Sequence, residues 1–218
     1  MDSQLTLIGG DAELAAPDPA FGAATILDFE RDVMISTSAT VRGQSHIGYS
    51  VRTVKAGLVG MNPKTIISEG ERVLATVLRR DMVPDLLTLG GSSMSLSSWL
   101  KTPIFSSFPA SFKEGGETYI WKESLDDGID LYRESNMTTV IAHFYPSYFE
   151  VTQDRRRITY RAHLDLRPEA DIVRDRVFIS CVLIVQKTRK NARAKERDLV
   201  SASQGLMFSS MAAPGTGF

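Results

Sequence analysis

The chain has 218 residues, a formal net charge of −1 and an ordinary globular composition, 43% hydrophobic and 23% charged. Such a length suits one large domain, or one domain with tails, and the near-neutral balance excludes a global field that would draw the chain to nucleic acid or membrane. The single cysteine, Cys181, excludes an intrachain disulfide and any cysteine-built metal cluster.

Residues 1–25 are rich in Ala, Gly, Pro and Asp, with Pro17 and Pro19 close together, and are expected to form a flexible leader. No basic stretch followed by an apolar one opens the chain, so no secretory signal is expected. With the lone thiol, this points to a reducing, intracellular and cytoplasmic setting.

From Thr25 onward the texture is that of β-structure. A short apolar run covers 33–36, and 49–55 alternates with Tyr49 and Val51 on one face. Gly57, Gly60, Asn62 and Pro63 then break the chain. Segments 64–68 and 72–79 flank Gly70, and segments 85–89 and 94–96 flank Gly90 and Gly91; both pairs predict hairpins. Residues 97–100 fit either a helical turn or a strand end. Pro103, Pro109, Gly115 and Gly116, among Phe105, Phe108 and Phe112, predict a loop over 102–116 pinned by aromatic residues. Segments 117–122 and 129–133 flank Asp126, Asp127 and Gly128, the strongest hairpin signal in the chain. A strand over 138–145 ends at Pro146. Segments 148–152 and 158–166 flank a turn containing Arg155, Arg156 and Arg157, and in the second of them Ile158, Tyr160, Ala162, Leu164 and Leu166 alternate with polar residues.

The segment 168–190 differs from all of these. Its centre, 177–185, is the longest strongly apolar run and is interrupted only by Ser180 and Cys181. Val177, Ile179, Val182, Ile184 and Val185 are β-branched and favour a buried strand. The ends favour a helix. Pro168 suits a first helical turn, Glu169 and Asp171 suit the positive end of a helix dipole, and Lys187, Arg189 and Lys190 suit the negative end. A helix apolar on all sides must be enclosed. Arg174, Asp175 and Arg176 cut the apolar run to about half of the roughly 20 residues a bilayer requires. A meander of many short strands has two edges to protect, and closure removes both. It also leaves a lumen to fill, and 168–190 is the one segment with enough apolar surface to fill it. The expected fold is therefore mainly β: a closed antiparallel barrel of about 10–12 strands over 26–195, with a disordered tail over 196–218.

The order Tyr49-Ser-Val-Arg-Thr-Val-Lys55, Arg72-Val-Leu-Ala-Thr-Val, Ser97-Ser-Trp-Leu100, Thr118-Tyr-Ile-Trp-Lys122 and Val140-Ile-Ala-His-Phe144 resembles an uncharacterised domain family of mushroom-forming fungi. The close is also similar: Leu164-Asp-Leu166, a polar stretch, then Asp175-Arg-Val-Phe-Ile-Ser-Cys-Val-Leu-Ile-Val-Gln-Lys187. That family looks like a member of the tubby C-terminal, LURP-one and scramblase-like group. The resemblance implies a closed antiparallel barrel around a hydrophobic C-terminal helix and favours helix over strand for 168–190. It carries over no catalytic residue, and no tubby-specific lipid motif is present.

Little in the sequence suggests catalysis. His46, His143 and His163 lack partners at metal-ligand spacing. Nucleophile-elbow, phosphate-loop and dinucleotide fingerprints are absent. Gly90 to Ser95 lacks the lysine and helix of a phosphate cradle, and Asp126 and Asp127 are turn residues. Neither metal nor cofactor is expected. Cys181, inside the apolar run, is expected to behave as a small hydrophobe. The basic clusters carry more information: Arg79 with Arg80, then Arg155, Arg156 and Arg157, then 187–197, where Lys187, Arg189, Lys190, Arg193, Lys195 and Arg197 occupy six of eleven positions. Clusters of roughly 4–8 basic residues hold anionic lipid at about 1 kcal/mol per residue near a membrane surface; the alternative reading is a solvated turn and a solvated tail, and Glu196 and Asp198 weaken the field of the tail. The resulting expectation is a non-enzymatic intracellular binding module, its partner an anionic membrane surface or another protein and not nucleic acid. The alternatives are a lipid-moving protein of scramblase type, an enzyme with an unrecognised site, or a carrier of an apolar ligand.

Overall fold

The computed structural model describes residues 14–15, 22–44, 48–56, 62–104, 106–125 and 128–211, with side chains described over 22–197. Most of the expected leader, together with His46, Gly57, Gly60, Phe105, the pair Asp126 and Asp127, and the tail beyond 211, lies outside the described residues.

In chain order the described elements are β1 (Leu14–Ala15), β2 (Thr25–Phe29), β3 (Ser36–Val41), β4 (Gly48–Ala56), β5 (Asn62–Glu69), β6 (Arg72–Leu78), β7 (Leu86–Leu89), β8 (Ser92–Ser95) and α1 (Leu96–Trp99). There follow β9 (Ala110–Glu114), β10 (Glu117–Glu123), β11 (Ile129–Arg133), β12 (Asn136–Tyr145), β13 (Tyr148–Val151), β14 (Arg157–Tyr160), β15 (His163–Leu166), α2 (Pro168–Asp171) and α3 (Arg174–Met211). Twelve strands make one antiparallel sheet in the order β8-β7-β6-β5-β4-β3-β2-β15-β12-β11-β10-β9, and β1, β14 and β13 make a second, small sheet.

Turn chemistry explains the hairpins. Gly90 and Gly91 between β7 and β8 have φ of +56° and +84°, and Gly115 and Gly116 between β9 and β10 have +59° and +85°. Two-residue turns that match strand twist need positive φ at both positions, which glycine adopts without strain. The second pair corrects the expected loop over 102–116. Ala110 and Phe112 of β9 are buried, and the strand pairs with β10 in register from Glu114 opposite Glu117 to Ala110 opposite Trp121.

The strand expected over 158–166 is two strands in two sheets. β14 pairs with β13 and β15 with β12 and β2. Between them Ala162 is buried, and its carbonyl accepts from the Phe29 N–H at 2.9 Å. The apolar alternation runs unbroken through this change of partners, so periodicity could not reveal it.

The sheet curves around α3. Nine consecutive residues, 177–185, are at most 7% exposed, which on a helix means enclosure on every side. Phe178 stacks on Phe29 of β2 and on Tyr49 of β4, with ring centroids 5.7 and 4.4 Å away. From the other half of the sheet, the Trp121 indole N–H donates to Ser180 Oγ at 2.9 Å, and Ser180 donates to the Val177 carbonyl at 3.0 Å. The one hydroxyl in the apolar run is therefore satisfied.

Two expectations about this core are corrected. Among the described residues the strand ladder is not closed: β8 and β9 remain its edges. At the end of β8 the Ser95 side chain accepts from the Ser98 N–H and starts α1, so the chain leaves strand conformation. A single antiparallel bridge, Lys101 to Ser111, stands near that seam. The helix also does not end at 190 but continues to Met211. The charged stretch beyond 190 contains Ala192, Ala194, Lys195, Glu196 and Arg197, all good helix formers. At the other end Pro168 opens only the single turn of α2 before Ile172 and Val173 interrupt the helix.

Candidate functional site

Polar contacts fasten α3 where it leaves the sheet. Gln186 donates to the Met34 carbonyl at 2.6 Å and accepts from Arg79 at 3.4 Å. Arg79 in turn pairs with Asp85 at 2.6 Å. Lys187 donates to Thr102 Oγ1 at 2.5 Å and to the Pro103 carbonyl at 3.1 Å. Burial, and then the nearby Arg79, lower the pKa of its ammonium from the usual lysine value. Arg189 donates to the Asp32 carbonyl at 2.5 Å and to its carboxylate. Lys187 and Arg189, both expected to face lipid, are therefore engaged inside the protein. Lys190, Arg193 and Lys195 are exposed, as is Arg197.

Asp32 joins the second basic cluster to the same place. Its Oδ2 accepts from the Ser147 N–H at 3.1 Å and the Ser147 hydroxyl at 2.9 Å, and Ser147 immediately precedes β13. Arg155, Arg156 and Arg157 lie at the tip of the β13–β14 hairpin, all exposed. Arg155 has φ of +62°, in the left-handed region that turns tolerate. Arg156 pairs with Asp154 at 2.8 Å, a fully solvated contact worth little. The Arg157 guanidinium lies 4.1 Å from the Phe149 ring centroid. The structure thus brings the hairpin and the helix exit to one end of the molecule. Apolar residues are exposed there as well: Ile35 at 53%, Met82 at 95% and Ile104 at 88%.

The opposite end of α3 opens into a cleft of about 490 Å³. Its charges pair with one another: Arg72 with Glu69 and with Asp175 at 2.9 Å, Arg176 with Glu114 at 3.1 Å, and Arg174 with Asp171 at 3.6 Å. These contacts are those of a salt-bridged plug over the helix start. The Tyr49 hydroxyl joins it, donating to Asp175 at 2.9 Å.

A third polar group lies on the outer face of the sheet. His143 Nδ1 is 2.5 Å from Asp130 Oδ1 in a cleft of about 410 Å³ that Thr138, Tyr145 and Arg167 also line. The Tyr145 ring lies between the imidazoles of His143 and His163, at 3.9 and 4.4 Å. A histidine with a carboxylate on Nδ1 is the base half of a nucleophilic site. Here the Nε2 side is closed: a Cβ on Gly128 would stand 2.5 Å from it. The thiol of Cys181 is buried in the core, and burial raises its pKa well above the usual range. Asp165, cross-strand from His143, is fully buried, and neither of its oxygens has a hydrogen-bond partner among the described residues. His163 Nε2 is 3.9 Å away. Burial pushes the Asp165 carboxyl up to about 6 and pushes His163 down. Strand alternation places both residues on the polar face, and no sequence signal marks them as buried.

Among the described residues, no group of three or more His, Cys, Asp or Glu is placed to hold a metal ion, and no helix is long and apolar enough to cross a membrane. The sequence model of one protein family, described as a family of unknown function (DUF6593), matches residues 32–191. No curated protein and no solved structure matches the chain.

Proposed function

The chain belongs to this family of unknown function, and on that premise we propose that it is a non-enzymatic, intracellular binding module whose helix-exit end engages the head groups of anionic lipids. The observation that carries the reading is the convergence of two basic clusters far apart in sequence. Asp32 ties the hairpin bearing Arg155, Arg156 and Arg157 to the helix bearing Lys190, Arg193 and Lys195. Each exposed base close to an anionic surface contributes about 1 kcal/mol, so six together suffice for reversible peripheral attachment. Kinship with the tubby, LURP-one and scramblase-like group belongs to the same proposal; it rests on motif order and on a helix enclosed by an antiparallel sheet.

Two alternatives have less support. An enzyme would need an accessible reactive group, and Gly128 shuts the His143 edge. A carrier would need an empty interior, and α3 occupies the space the sheet surrounds. The test is co-sedimentation with phosphatidylserine-containing vesicles at low and high salt. Binding should weaken steeply as salt shortens the Debye length from about 10 Å at 0.1 M to about 3 Å at 1 M. Replacing Arg155, Arg156 and Arg157 with Ser should abolish most of it and leave the melting temperature nearly unchanged. An absence of binding at low salt refutes the proposal.

A further inference from the structure

The β13–β14 hairpin is built unlike the rest of the protein. All four residues of β13 are exposed, so neither of its faces covers a core. Register places Val151 opposite Arg157 and Phe149 opposite Thr159. One face therefore presents Phe149, 56% exposed, and Val151, 64% exposed, beside the arginine that stacks on Phe149. On the other face Tyr148 stacks on Tyr160 at 4.5 Å. A strand with no core to bury has no need of phenylalanine and valine, and clustered exposed apolar side chains mark an interaction surface.

We infer that this hairpin is a membrane anchor: Phe149 and Val151 enter the boundary between head groups and acyl chains of an anionic bilayer, while Arg155, Arg156 and Arg157 contact lipid phosphates. This rests on the lipid-binding reading above and adds an apolar component to it. The charge pattern selects the occupant. The apolar face ends in three consecutive arginines, and a guanidinium stacked on an aromatic ring keeps its charge at the polar boundary while its stem lies along apolar surface. The site also extends beyond one strand. Ile35 lies three residues from Asp32, which holds the hairpin base, and Ile104 follows Pro103, which holds Lys187. Apolar groups spread over separate loops fit a broad surface better than a single acidic peptide paired to the free edge of β13.

The experiment uses the full chain carrying Phe149→Trp, with phosphatidylcholine–phosphatidylserine vesicles whose acyl chains are brominated or not. Trp121 is fully buried and Trp99 nearly so, so quenching by bromine reports the new indole. It should shift to the blue and be quenched on binding. Separately, Phe149→Ser with Val151→Ser should lower vesicle affinity by about tenfold or more, since each buried apolar side chain contributes at least that much; melting and salt dependence should be unchanged. Vesicle binding without quenching, with full affinity in the serine variant, overturns insertion and leaves the head-group reading standing. No vesicle binding at low salt overturns both. Equal affinity for soluble polyglutamate overturns the membrane assignment and makes the hairpin a protein-docking edge.

Discussion

Phe178→Ala probes the enclosed helix. The ring is fully buried and lies against Phe29 and Tyr49. Removing a buried phenylalanine side chain costs about 3–5 kcal/mol, and the cost rises when the surroundings cannot collapse into the space. Here the ring sits on a helix held by the sheet around it, so the upper half of that range is expected. The two ring contacts contribute about 0.5–1.5 kcal/mol each within that total. For a domain of this size, about 4 kcal/mol corresponds to a fall in melting temperature of roughly 10 °C. Urea denaturation followed by tryptophan fluorescence measures it, because Trp121 reports on the same core through Ser180. Ile172→Ala, at a side chain 82% exposed, is the control and should stay within about 0.5 kcal/mol of wild type. If the two variants cost the same, the enclosed-helix account is wrong.

Asp165 predicts a pH dependence. Its folded pKa, about 6, lies above the ordinary carboxylate value of 3.8, so the folded state takes up the proton more readily. The stabilisation from that proton is complete below about 4 and is lost as pH rises through 6. His163, pushed down by burial, works in the opposite sense, so the comparison is wild type against Asp165→Asn. Wild type should gain up to about 3 kcal/mol on the variant between pH 7 and pH 4; a flat difference would contradict the assignment. Gly128→Ala would place a Cβ 2.5 Å from His143 Nε2 and 2.6 Å from the Phe144 carbonyl oxygen, and should cost about 1–3 kcal/mol in thermal unfolding. Arg189→Ala breaks the tie to Asp32 and should cost about 1–3 kcal/mol. Arg193→Ala, exposed, should leave the melting temperature unchanged.

Much of the architecture could be read from local chemistry. Glycine pairs mark turns because positive φ restricts residue choice, whereas at Gly128, of the Asp-Gly step, space restricts it: a Cβ there would stand 2.5 Å from His143 Nε2. The helix was legible only in part: Pro168 opens α2 and not α3, Lys187, Arg189 and Lys190 lie within α3 and not at its end, and the β-branched residues of its centre would equally suit a strand. Other features escaped for physical reasons. β9 was hidden because Pro103, Pro109 and the phenylalanines made 102–116 look irregular, although Gly115 and Gly116 carried the hairpin signal. The open seam between β8 and β9 depends on where Ser95 starts a helix. The fates of the basic residues were the least legible. Lys187 and Arg189 look like their neighbours in sequence, but their partners Thr102 and Asp32 lie 85 and 157 residues away. His163 and Asp165 sit at polar positions of an alternating strand and are nonetheless buried, which a period of two cannot report.

The end of the molecule that faces the membrane is the central claim, and a depth measurement with spin labels tests it most directly. One label goes on Gln153→Cys at the exposed hairpin turn, and one on Ile172→Cys at the far end of the helix; the buried Cys181 should stay unlabelled. On phosphatidylserine vesicles, collisions with oxygen and with a water-soluble nickel chelate are compared for each label. The account predicts that the label at 153 loses contact with the chelate and gains contact with oxygen, while the label at 172 remains in water. The opposite pattern, or two labels that both stay in water while the protein is bound, would contradict it.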